Sequence, residues 1–258
     1  MQALALSTEQ ISVWMTHFLW PFMRVSGLFL IAPLYGSRLI PVRVRVAAAF
    51  VITLMIYPLV DVPTVYAASA DGLLLMVQQL AIGIAMGFIM QLIFAALSVA
   101  GENIAMTMGL GFAQMVDPQN GVQVPVISQF FMITATLIFL ALDGHAILLS
   151  LLLNSFIGLP IQPGQFDASQ LIDLVNWSGI MFTGGVLLSL PVIIALLAIN
   201  FALGIMTRAA PQMNIFSVGL PATMLCGFIL LLLTFEGLVE QFEILMNQSF
   251  AFVRAVFI

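Results

Sequence analysis

Few residues in this 258-residue chain have the types and spacing that covalent chemistry needs. There are two histidines, His17 and His145, and one cysteine, Cys226. Zinc sites need clustered His, Cys or acidic ligands at set spacings, and two isolated histidines do not supply one. No HExxH, GxxxxGK[ST] or GxSxG occurs. Gly109-Leu110-Gly111 lacks the third glycine and the strand–helix context of a nucleotide loop. An intramembrane serine protease is excluded as well. Ser178 is preceded by Asn176 and Trp177 rather than by the needed glycine, and no histidine follows His145. Cys226 lies in an apolar run and reads as a small buried hydrophobe, with no CxxC around it. The expectation is a protein with no catalytic residues, no metal and no cofactor.

Composition explains this poverty. The chain is 62% hydrophobic and 7% charged, against about 25% charged in soluble domains. It reads as an integral membrane protein in which no stretch is polar or long enough for a separate soluble domain. All six basic residues are Arg, and the net charge of −5 is spread over short loops, which argues against a nucleic-acid partner. Arg24 and Asn200 stand out as polar residues inside apolar segments. A charge at the depth of Arg24 costs about 2.5–3.5 kcal/mol on insertion scales. Either it faces a partner or wet cavity, or it sits near a helix end and snorkels to the interface. Asn200 reads as a buried amide that hydrogen-bonds a neighbouring helix.

The elements that would hold these residues are all helical. The pattern predicts an all-α membrane protein with about six kinked hydrophobic segments arranged as hairpins and an ordered, non-helical central loop. The segments run from about 11 to 35, 44 to 59, 73 to 100, 126 to 153, 174 to 206 and 218 to 237. Pro21 and Pro33 should kink or split the first, and Pro191 should divide the fifth. Asp143-Gly144-His145 should break the fourth. Gly83 and Gly87 form a small-xxx-small face suited to close helix packing, and Gln78, Gln79 and Gln91 could bond across helices. Residues 236–258 read as a separate amphipathic helix, on a partner or at the membrane interface. With six spans, the positive-inside rule puts Arg38, Arg43, Arg45 and Arg208 in the cytoplasm and both termini outside.

Gly101 to Pro125, GENIAMTMGLGFAQMVDPQNGVQVP, is too long for a turn and too apolar for a disordered linker. From Met106 to Ala113 bulky residues hold even positions and small ones hold odd positions, a period of two that predicts extended chain. Such backbone is tolerated at membrane depth only inside protein or along a wet cavity. A small-solute transporter would also use broken helices and buried polar groups. The chain, however, shows no internal repeat and no series of acids and histidines for proton relay.

At Thr207–Pro221, TRAAPQMNIFSVGLP, the sequence closely resembles the signature of the FliR/SctT family of type III export-gate subunits. GENIAMTMGLGFAQMVDP resembles the same family's central segment, and RVSGLFLIAPLYGSRLIPVRVRV its N-terminal pattern. The full RAAPQMNIFSVG form favours the flagellar branch over the virulence branch. The resemblance implies a subunit of the bacterial inner membrane and flagellar basal body that joins FliP, FliQ and FlhB and passes unfolded export substrates. It implies a FliP-like part over 1–170, including the loop 101–125, and a FliQ-like hairpin over 171–258. Much of the apolar helix would be packed in protein, with the rest against membrane lipid. The family's central segment plugs the closed pore, and it falls here on Met106, Met108, Gly109, Leu110, Gly111, Phe112 and Met115. Arg208, Pro211, Gln212, Asn214 and Phe216 are the expected partner contacts. Packed core between subunits, and a cytoplasmic anchor or helix corner, remain the alternatives for those two groups.

Overall fold

A computed structural model describes residues 8–37, 40–63, 65, 69–111, 125–164, 167–209 and 218–258. Among them there is no strand. The helices are α1 Thr8–Ile31, α2 Val42–Ile56, α3 Ala70–Thr107, α4 Val126–Ala141, α5 Gly144–Gly158, α6 Ala168–Trp177, α7 Ile180–Ala209 and α8 Leu220–Phe257. A single 3-10 turn, Tyr57–Leu59, follows α2. Each of the six apolar runs read from the sequence contains or becomes helix. Among the described residues four stretches are long and apolar enough to cross a membrane: Val42–Leu59, Ala70–Thr107, Ser169–Ala209 and Leu220–Phe257. The bent pair α4–α5 makes a fifth if it is one span. α1 is not among them, so the six helical runs offer four or five candidate spans among the described residues.

Three expected breaks are absent. α1 runs through Pro21, and α7 runs through Pro191. A proline removes one backbone bond at a cost of about 3 kcal/mol. Breaking the helix in apolar surroundings would strand many more groups without water. The tail is not a separate helix either, because α8 continues from Leu220 to Phe257. The expected break at Asp143 is present. Asp143 adopts φ 54° and separates α4 from α5.

α3 is 38 residues long, about 57 Å at 1.5 Å per residue. Its length and apolarity suit lipid, yet 67% of its most apolar window is buried within the protein. The corresponding windows of the other spans are 11–22% buried. α3 is therefore the core helix. The outward faces of α2, α7 and α8 carry large apolar side chains such as Met55, Phe201 and Leu232, as a lipid or protein milieu requires.

The chain forms two compact units. The first comprises Met1–Gln91, Asp143–Ser178 and Gln248–Ile258. Here α1 lies directly on α3 through glycines. A Cβ on Gly27 would stand 2.5 Å from Leu80 O, one on Gly83 would overlap the Arg24 carbonyl, and one on Gly87 would stand 2.9 Å from Ala32 N. The expected small-xxx-small face thus receives the α1 backbone. Phe18 packs on Phe50 at 5.0 Å between ring centroids, joining α1 to α2, and Trp177 stacks on Phe252 at 4.2 Å.

The second unit comprises Leu92–Leu142 and Gly179–Asn247. α3 meets α4 where a Cβ on Gly101 would stand 2.6 Å from Ser128 Cα, and Ser128 Oγ donates to Ser98 O at 3.0 Å. Phe94 sits edge-on to Phe139 and Phe242, at 5.7 and 5.9 Å.

Candidate functional site

The central stretch departs from the sequence expectation at its start. Residues 101–107 are the last two turns of α3, and 108–110 form a turn. Met108 N–H donates to Ile104 O at 2.9 Å, Gly109 N–H to Met106 O at 3.0 Å and Leu110 N–H to Ala105 O at 3.0 Å. The alternation from Met106 therefore does not produce extended chain through Gly111. α3, already under way, carries helix through Ala100 to Ala105 despite Gly101 and Asn103. Gly109 takes φ 84°, a left-handed conformation that a glycine ends helices with at little steric cost.

The seven expected plug residues do not share one environment. Met106 is half-exposed, at 51%. Its Sδ lies where a Cβ on Gly111 would come within 2.5 Å, so the thioether folds over that glycine. Met108 is fully buried. Its side chain fills a notch at Gly227 of α8, where a Cβ would stand 2.6 to 2.7 Å from its Cγ, Cε and Sδ. Leu110 and Gly111 are half-buried. Phe112 and Met115 lie outside the described residues. No Arg or Lys occurs between Gly101 and Pro125, so the stretch carries no fixed positive charge.

Two polar side chains reach the end of α3. Asn200 is half-buried rather than fully buried, and its Nδ2 donates to Thr107 O at 3.5 Å. It does bridge to a neighbouring helix, as expected. The Thr223 hydroxyl, on α8, points between Met108 O at 3.3 Å and Leu220 O at 3.0 Å. Thr223 and Gly227 were not legible in advance, since a threonine and a glycine in an apolar helix carry no motif.

Arg24 is fully buried, which excludes snorkelling. Its Nε donates to Gln79 Oε1 at 2.8 Å. One terminal nitrogen donates to Ser155 O at 2.8 Å and Ser155 Oγ at 3.1 Å, and the other to Leu159 O at 2.8 Å. The guanidinium also lies 4.3 Å over the Phe156 ring. Among the described residues no carboxylate pairs with it. Its counter-charge is the C-terminal end of α5, where the helix dipole is equivalent to roughly half a negative charge. The partner expected for Arg24 is thus a helix end, and Gln79 bonds across helices as its polarity suggested. At the other end of α5, Tyr35 stacks on Phe29 at 4.4 Å and donates to His145 O at 3.4 Å, and burial pushes its phenol pKa up.

Arg208 is exposed in the last turn of α7, where its charge favours the helix end. Pro211, Gln212, Asn214 and Phe216 lie outside the described residues. Cys226 is half-buried, not enclosed as expected. Among the described residues no group of three His, Cys, Asp or Glu could hold a metal.

Fold and site together define an all-α integral membrane protein whose longest helices are shaped by glycine contacts and buried polar bonds. Residues 15–249 match the bacterial export proteins, family 1. Curated relatives include the flagellar biosynthetic protein FliR of Pectobacterium carotovorum subsp. carotovorum, 41% identical over 218 residues and 84% of each chain. The FliR of Escherichia coli strain K12 is 40% identical over 228 residues, 88% of this chain and 87% of its own. That of Bacillus subtilis strain 168 is 31% identical over 243 residues, 93% of this chain and 90% of its own. The chain belongs to this export-protein family, the FliR family that its motifs resemble.

Proposed function

We propose that this chain, a membrane-embedded component of flagellar protein export, completes the export pore and stoppers it at rest. Family membership over residues 15–249 carries the reading. In it the FliP-like part over 1–170 and the FliQ-like hairpin over 171–258 complete a ring of FliP and FliQ in the inner membrane. The stretch around Arg208 to Phe216 meets FliQ or FlhB. Unfolded substrates pass without covalent chemistry, driven by the proton motive force and a partner ATPase.

Three features support a stopper between Met106 and Met115. A protein-enclosed core helix leads into it, so its backbone need not meet lipid. Unbranched methionines conform to irregular closures. Gly109 and Gly111 admit close backbone approach. Deleting Met106–Phe112 is expected to leave the complex assembled and leaky to ions. Unchanged membrane conductance in a correctly assembled deletion would reject the stopper.

A further inference from the structure

Carbonyls at the end of a helix have no donor within the helix, and in apolar surroundings they cannot be left bare. At the end of α3 two neighbouring helices supply what water would. Asn200 of α7 reaches Thr107 O, and Thr223 of α8 reaches Met108 O. The third contact is steric. Met108 is fully buried, with its Cγ, Sδ and Cε in the space that the missing side chain of Gly227 leaves open. One residue on, Gly109 turns the chain out of the helix at φ 84°. Polar bonds from two helices and a side chain in a fitted notch converge on two consecutive residues, Thr107 and Met108, just before the turn at Gly109.

We propose that Asn200, Thr223 and Gly227 are positioning residues that pin Met108, so that Thr107–Gly109 is a stationary root and gating moves nothing before Gly109. This rests on the stopper reading above and sharpens it. Met108 is then an anchor and presents no surface to a pore, while the half-exposed Met106 covers Gly111 on the open side.

The test uses the complete export apparatus in cells, with Cys226→Ser to remove the native thiol beside the notch. Met108→Cys and Gly227→Cys are introduced together. The sulfur of a cysteine at 108 takes the place of the Met108 Cγ, 2.6 Å from a Cβ at 227, within reach of a disulfide. The bond is expected to form in the resting complex, read as lost maleimide tagging of both thiols. Export of substrate is expected to be equal before and after reduction. Failure of the bond to form, or export that stops until the bond is reduced, overturns the proposal. A second arm needs no cross-link. Gly227→Leu fills the notch and is expected to raise ion leak, and adding Met108→Ala is expected to lower it again. Equal leak from the single and double variants overturns the role of the notch. If the bond forms silently while deletion of Met106–Phe112 gives no leak, the root stands and the stopper falls.

Discussion

Arg24→Met tests the buried clamp most directly. Methionine keeps most of the apolar stem and deletes the four hydrogen bonds to Gln79, Ser155 and Leu159. Three acceptors lose their only charged donor: Gln79 Oε1, Ser155 O and Leu159 O. Ser155 O keeps the Leu159 N–H bond, so two acceptors are left bare at about 1–3 kcal/mol each, and the gross loss is roughly 2–6 kcal/mol. The contact with the Phe156 ring adds about 2 kcal/mol at a desolvated site. Against this, a guanidinium no longer has to be desolvated, which returns several kcal/mol. The acceptors left behind are neutral, so the net stays near the low end, about 2–4 kcal/mol.

Gln79→Leu gives the contrast. It removes one acceptor from the guanidinium, but it also removes Gln79 Nε2, a buried donor with no partner among the described residues. The two effects oppose, and the net is about 1 kcal/mol. Arg24→Lys falls between them, because a single ammonium cannot span acceptors on α3 and at the end of α5 together. The assay is thermal unfolding of the detergent-solubilised complex, with the Ser155→Ala background closing a double-mutant cycle. At about 2–4 °C per kcal/mol for chains of this size, Arg24→Met should melt clearly below Gln79→Leu. A wild-type melting point for Arg24→Met, or equal losses from both, would refute the clamp.

Other perturbations follow from the same geometry. Gly83→Ala drives a Cβ into the Arg24 carbonyl, and overpacking of this kind costs about 1–3 kcal/mol or more; reduced yield of assembled complex measures it, and normal yield would show that α1 can shift away from α3. Gly109→Val must hold a β-branched residue at φ 84°, while asparagine tolerates that region, so Gly109→Asn should retain export better than Gly109→Val. The reverse order in a secretion assay would argue against a left-handed turn. Arg208→Glu places an acid at the negative end of α7, worth about 0.3–1 kcal/mol against the helix, and should harm co-purification of FliP and FliQ more than ion conductance. Normal co-purification would remove Arg208 from the partner contacts.

Some of this was legible without coordinates because it follows from local chemistry. A chain with 7% charge cannot cover itself for water, so the membrane class is compositional. The small-xxx-small glycines announce a close helix contact, and Asp143-Gly144 announces a break, because both are short-range backbone effects. The family was readable from long motifs in order. The splits at Pro21 and Pro191 and the extended central run were misjudged for one reason, whereas α1 does end just before Pro33. A local pattern competes with a helix already under way, and in apolar surroundings continuing the helix satisfies the backbone whereas stopping does not. Gln79 was marked by its polarity, but Thr223 and Gly227 carried no mark at all.

Sequence by itself determined that the protein lives in apolar surroundings, that it is helical, and that Arg24 and Asn200 must find partners there. Only the tertiary structure decided which partners. It set the end of α5 around Arg24 and brought Gly227 to Met108 across more than a hundred residues of chain. The physical reason is that solvation preference is a property of each residue, whereas a matching acceptor or a notch exists only where distant helices meet.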